Sequence, residues 1–169
     1  MKTHMAPTIR KYQPQDLPSC RTLWTELTQH HRDIYQIPTI GGPNPGTHFD
    51  KHLAKVGPDN LWVATHHGKV IALTGLMGTG DQAEVEPAIV SQPHRRKGIG
   101  KTLMETVIAE AKNRGIKTLS VRPVARNAEA LRFFTQQGFT NVGHIELFID
   151  LTNRQWKKGL KLFDLELKY

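Results

Sequence analysis

The chain has 169 residues, 38% of them hydrophobic and 22% charged, which suits one globular domain over residues 1–169 and excludes a disordered polymer. A single cysteine, Cys20, rules out an internal disulfide framework, and apolar runs such as Val70-Ile71-Ala72-Leu73 are far too short to cross a bilayer. The formal net charge is +8, and it is concentrated: between His94 and Arg132 ten basic residues face three acidic ones, a surplus of +7, which favours an anionic partner.

Thr8 to Lys11 reads as a first strand, and Asp16 is placed to cap a helix beginning at Leu17. Leu17 to Tyr35 has apolar positions at near-helical spacing and predicts one or two helices. Residues 41–46, Gly-Gly-Pro-Asn-Pro-Gly, form a loop, and Phe49 to Val56 predicts a short helix. Leu61 to Thr65 and Lys69 to Leu76 are strands joined by the hairpin signal His66-His67-Gly68. Ala83 to Val90 is a further strand, and Gly100 to Asn113 is a helix with Leu103, Val107, Ile108 and Ala111 inward and Gly115 as its stop. Thr118 to Arg122 is a strand ended by Pro123. Asn127 to Gln137 is a helix with Leu131 and Phe134 inward, and Val142 to Leu151 and Leu160 to Lys168 are expected as two closing strands. The order β-α-α-β-β-β-α-β-α-β-β implies an α/β (α+β) fold with a mixed central sheet of about seven strands and about four flanking helices.

The residues that carry chemistry are Arg95-Arg96-Lys97-Gly98-Ile99-Gly100, which follow a strand and open a helix. The first turn of a helix has amides without intrahelical partners and a positive dipole end, and glycines let a ligand approach the backbone. With Lys101 adding charge, this assembly suits a pyrophosphate. The dinucleotide fingerprint G-x-G-x-x-G fails, because Leu103 stands at its third glycine. The Walker A pattern half matches through Gly100-Lys101-Thr102 but has Arg95 where its upstream glycine belongs. The pattern [RQ]-x-x-G-x-[GA] fits, and a second block, Asn127-Ala128-Glu129-Ala130-Leu131-Arg132-Phe133-Phe134-Thr135-Gln136-Gln137-Gly138-Phe139, lies on the next helix. Together these resemble the Gcn5-related N-acetyltransferase (GNAT) family from Ala83 to Phe139.

The resemblance implies a splayed central sheet and acetyl-coenzyme A as co-substrate, with the turn holding its pyrophosphate. It implies transfer of the acetyl group to a primary amine by direct attack in a ternary complex. Glu84 lies eleven residues before Arg95, which is similar to the spacing of the family's general base, and Glu86 is the second candidate. By the two-residue period, Glu84, Glu86, Ala88 and Val90 share one strand face, opposite Val85, Pro87 and Ile89. The alternative for the two acids is a pair of strand carboxylates answering nearby arginines. Pro87 has no N–H to give to a ladder, which fits a strand that leaves its neighbour. The resemblance then puts the pantetheine arm against backbone groups of Ala88, Ile89 and Val90. It puts Asn127 against the cofactor, though that residue is also a natural helix cap. Phe134 departs from the family, which often has a tyrosine there to protonate the leaving thiolate; phenylalanine has no proton to give. Three explanations stay open: the thiolate takes a proton from water, one of the chain's three tyrosines (Tyr12, Tyr35 or Tyr169) substitutes, or the domain binds the cofactor without turnover.

The nine histidines include the adjacent pairs His30-His31 and His66-His67 but no zinc-ligand spacing, so no metal is expected. His144 is an alternative base. The segment from His30 to Phe49, with Tyr35 and His48, is expected to form the acceptor side, its loop acting as a lid or as a plain connection. The start of the chain has no apolar signal region, and with one cysteine this points to the cytoplasm, as a monomer or a homodimer. Three readings compete: an N-acetyltransferase, a catalytically weak acyl-CoA-binding or regulatory domain, and a basic nucleic-acid-binding module. The motifs favour the first, with an amine acceptor as partner and neither nucleic acid nor membrane.

Overall fold

The computed structural model describes residues 6–169, which gather into two compact units, one running to Arg122 and one from Pro123 to Tyr169. In the first, β1 (Thr8–Lys11), β2 (Leu61–His66), β3 (Lys69–Met77), β4 (Gln82–Val90) and β5 (Thr118–Ser120) form one sheet in chain order. The junctions from β1 to β4 are antiparallel, and β4–β5 is parallel. Between β1 and β2 come α1 (Leu17–Tyr35) and α2 (His48–Val56), and α3 (Ile99–Asn113) is the crossover that lets β4 and β5 run in the same direction.

The strands follow from their residues. β2 and β3 turn through His67 and Gly68, both at positive φ (48° and 73°), the two-residue geometry that matches the twist of an antiparallel hairpin. Leu61, Val63, Leu73 and Ile89 point to one face and form a core with Tyr12, Cys20, Leu23, Phe49 and Val56. The alternate residues Ala72, Thr74 and Leu76 point to the other face, where α3 packs its buried Leu103, Met104, Val107 and Ala111. Leu17 to Tyr35 is a single helix, ended by Gln36 at φ 56°. Gly115 at φ 73° stops α3: the amides of Gly115 and Ile116 bond back to the carbonyls of Lys112 and Ala111. Asp16 stands at the N-cap position of α1 without making the expected side-chain cap. Its carboxylate accepts instead from the Arg10 guanidinium at 2.7 and 2.8 Å and from the Gln13 amide at 2.8 Å.

The second unit contains α4 (Ala128–Gln136) and a hairpin of β6 (Lys158–Leu162) and β7 (Leu165–Lys168). Asn127 caps α4 by accepting from the Ala130 amide at 3.0 Å. Phe134 is buried, with its ring edge-on to Phe133 and Phe139, whereas Leu131, expected inward, is 43% exposed. Two expectations fail here. The run 142–151 forms no strand, and 160–168 is two strands broken at Phe163 (φ 55°). A strand needs a ladder partner; β6 and β7 satisfy each other, and the earlier run finds none within its unit. Among the described residues there are seven strands and four α-helices, which fits the expected α/β class, but the strands are divided between a five-stranded sheet and a two-stranded hairpin. No helix among the described residues is long and apolar enough to cross a membrane.

Candidate active site

After β4 the chain makes a short 3₁₀ turn, Gln92–His94, passes Arg96 at φ 57° and Gly98 at φ 82°, and enters α3. The first α-helical bond of α3 runs from the Thr102 amide to the Gly98 carbonyl at 3.1 Å, so the amides of Ile99, Gly100 and Lys101 precede the intrahelical ladder. Gly98 is exposed, and a methyl group added there would meet no atom within 4 Å, so space lies open above the bend. Arg96, Lys97 and Lys101 are exposed around it, Lys101 with Glu105 at 3.7 Å. Ile99 is 6% exposed: its side chain anchors the bend in the core, and only its backbone is available to a ligand. Arg95 is half-buried and donates from Nε to the Val90 carbonyl at 3.0 Å, which ties the turn to the end of β4. The Glu26 carboxylate on α1 accepts from the Gln92 amide at 3.2 Å and ties it to the helix layer.

β4 carries the two acids, and its register corrects the expected faces. Ala72, Leu73 and Thr74 pair with Val90, Ile89 and Ala88, but Leu76 and Met77 pair with Val85 and Glu84. Gly75 thus faces two residues, Glu86 and Pro87, a one-residue bulge. The peptide between those two is cis. A methyl group at Gly75 would collide with the Glu86 carbonyl, so glycine is what lets the strands approach there. The extra residue inverts the alternation: Glu84, opposite Met77, shares its face with Ile89, whereas Ala88 and Val90, opposite Thr74 and Ala72, share the other face. The two-residue period could not anticipate this.

On the other side, β4 pairs with β5 only from Gln82 to Glu84, against Thr118 to Ser120. Beyond Glu84 the strands part, and the backbone of Ala88, Ile89 and Val90 has no strand partner on that side among the described residues. The Val90 carbonyl is engaged by Arg95. Glu84 is half-buried and pairs with Arg122, Nε to Oε2 at 3.3 Å. Glu86 is half-buried, and its carbonyl is engaged by Nε2 of His52 at 3.1 Å.

Arg122, His52 and Glu26 carry no mark in the sequence motifs. A parallel β4–β5 register would have brought Arg122 near Glu84; nothing in the pattern of α2 marks His52. On the expected acceptor side, the Arg32 guanidinium donates to the carbonyls of Ile40 (2.8 Å) and Gly42 (2.6 Å) and tethers the glycine-proline loop. Asn127 and Phe134 belong to the second unit, where one caps α4 and the other is packed among phenylalanines. His144 is exposed in the run without a strand. Among the described residues no group of three or more His, Cys, Asp or Glu is arranged to hold a metal ion.

The family model described as Acetyltransferase (GNAT) family matches residues 22–139. The ribosomal protein bS18-alanine N-acetyltransferase of Escherichia coli (strain K12) is 32% identical over 75 residues, 44% of this chain and 51% of that protein. The chain thus spans about half the length of the curated relatives it matches. An acetyltransferase of the GNAT family from Staphylococcus aureus Mu50 aligns with a TM-score of 0.68 at 18% identity, covering 88% of this chain and 96% of that one. N-acetylglutamate synthase from Neisseria gonorrhoeae, solved in complex with coenzyme A and N-acetyl-glutamate, aligns with a TM-score of 0.60 at 17% identity, covering 79% and 28%. At these identities the structural likeness speaks for a common fold.

Proposed function

This chain belongs to the GNAT family of acetyltransferases, and on that footing we propose that it moves an acetyl group from acetyl-coenzyme A to a primary amine by direct attack in a ternary complex. The observation that carries the proposal is the open, cationic bend at the start of α3. Gly98 leaves room, the amides of Ile99, Gly100 and Lys101 face no helical acceptor, and Arg96, Lys97 and Lys101 surround them. The residues present fit a pyrophosphate. The family match crosses from one compact unit into the other, which supports reading residues 1–169 as one N-acetyltransferase domain.

When bound, acetyl-coenzyme A supplies an activated acyl carbon. The chain's own residues do the rest. The parted edge of β4 offers the backbone of Ala88 and Ile89 to the amides of an extended arm, as a strand would. Val90 contributes there mainly through its fixed position, since Arg95 already engages its carbonyl. A primary amine of pKa ~10.4 arrives mostly protonated, so a group must take its proton before nitrogen can attack. Glu84 is the first candidate base and Glu86 the second. Asn127 and Phe134 come to the cofactor by resemblance to the family's second motif.

Phe134 favours a second reading, a domain that binds acyl-coenzyme A without turnover. Its ring lies among Phe133 and Phe139 and has no proton to give a departing thiolate. Tyr12 is no ready substitute, being buried against Phe49, and burial raises its hydroxyl above the ordinary range. In the transferase reading, the departing thiolate takes its proton from water or from one of the other two tyrosines, Tyr35 or Tyr169.

A thiol-release assay with acetyl-coenzyme A and a panel of amines (a polyamine, an aminoglycoside, free amino acids, a peptide with a free N-terminus) tests the proposal. Release with at least one amine is expected. Tight acetyl-coenzyme A binding by calorimetry without release from any amine selects the binding domain. No acetyl-coenzyme A binding, with salt-sensitive DNA binding instead, overturns both.

A further inference from the structure

His52 is 7% exposed and sits on α2, outside every motif that led to the acyl-transfer reading. Its ring is held between Trp24, with centroids 5.0 Å apart, and Phe49, 6.4 Å away. Its Nε2 lies 3.1 Å from the Glu86 carbonyl. A carbonyl only accepts, so Nε2 carries the hydrogen.

That carbonyl lies where β4 has its extra residue. A bulge takes backbone groups out of the ladder, and a buried carbonyl left without a donor is costly. The imidazole supplies the donor from the helix layer. Gly75 on the neighbouring β3 leaves room for the same carbonyl, where a Cβ would collide with it. The bulge, which contains Glu86, is also what inverts the side-chain alternation between Ile89 and Glu84. Whatever fixes the bulge therefore fixes where the two carboxylates point.

We propose that His52 is a positioning residue for acyl transfer: its Nε2–H holds the β4 bulge and so aims Glu84 and Glu86 at the acceptor amine. This rests on the reading of those acids as proton acceptors. His52 does not touch the reacting atoms. Its effect on kcat exceeds its effect on acetyl-coenzyme A binding, because the pyrophosphate is held at the bend before α3, which is built by other residues.

The test uses the full chain with two substitutions. His52→Phe keeps a ring between Trp24 and Phe49 and removes the donor, whereas His52→Gln places an amide N–H at about the same reach. Amide hydrogen exchange at Val85 and Ala88, which flank the bulge, is followed together with kcat and KM. The expected result is at least tenfold faster exchange and at least tenfold lower kcat in His52→Phe. The dissociation constant for acetyl-coenzyme A changes by a smaller factor than kcat, and His52→Gln restores both exchange and kcat to within threefold. Unchanged exchange and kcat in His52→Phe would overturn the proposal, as would equal losses in both variants, which would make the role one of packing. If exchange responds as expected but the wild-type chain releases no thiol with any amine, the hold on the bulge is supported and the acyl-transfer reading is what fails.

Discussion

The Glu84 carboxylate and the Arg122 guanidinium meet at 3.3 Å with unequal exposure, 15% against 81%. The parallel register pairs Glu84 with Ser120, and Arg122 lies two residues further along, so its long side chain reaches back from solvent. Arg122 lies mostly in solvent, so the pair does not seal Glu84 off, in keeping with its proposed role as the base. Glu84→Gln is expected to lower kcat by about a hundredfold with little change in acetyl-coenzyme A affinity, in line with loss of a general base. Arg122→Ala is expected to change unfolding free energy by less than about 1 kcal/mol, as for other exposed pairs. Steady-state kinetics and urea unfolding check both; an unchanged kcat in Glu84→Gln shifts the role to Glu86.

Reversing charge at the bend should weaken cofactor binding. For the double substitution Arg96→Glu and Lys97→Glu, the acetyl-coenzyme A dissociation constant should rise at least tenfold in calorimetry at low salt. The gap should narrow as salt is added, because exposed charges are screened beyond about 10 Å at 0.1 M. Gly98→Ala tests the backbone alone: space is open there, so the cost comes from φ 82° and is about 1–2 kcal/mol.

Cys20 is fully buried in the first unit's core, and burial pushes its thiol up to about 12. Thiolate is the reactive form, so the native chain should resist a thiol reagent near pH 8 and react fully once unfolded in denaturant. Rapid labelling of the native chain would show that this core opens readily.

Stability should fall on mild acidification through two histidines. Burial holds His52 and His31 below the ordinary imidazole range; the neighbouring His30 adds to this for His31, and Glu86 partly offsets it for His52. Both are therefore depressed relative to the unfolded chain, which takes up protons first as pH drops through ~6.5. Their contribution is present above that value and is lost as pH falls toward the lower folded values. Urea midpoints should drop between about pH 7.5 and pH 5.5. In His52→Gln the drop should be smaller; an identical drop would assign the effect elsewhere.

Much of the fold lies in short-range signals, which is why the chain order of its elements is readable. Gly98 and Gly115 mark the two ends of α3 because left-handed backbone is cheap only for glycine, and His67-Gly68 closes a hairpin by the same logic. The helical spacing from Leu17 to Tyr35 and the cationic residues before α3 are equally local. Each of these signals lies within a few residues of what it determines, and together they carry the family resemblance.

What only the tertiary structure decided are the relations between segments distant in sequence. The one-residue bulge opposite Gly75 depends on how β3 and β4 slide against each other, and a two-residue period read along β4 alone gives the wrong face for Ala88 and Val90. His52 finds the Glu86 carbonyl 34 residues away, and Arg122 finds Glu84 across a parallel pair, neither with a local marker. The run 142–151 alternates like a strand yet pairs with nothing in its own unit, because pairing is a property of two segments. Periodicity tells which residues prefer burial; register and packing choose which neighbours they meet.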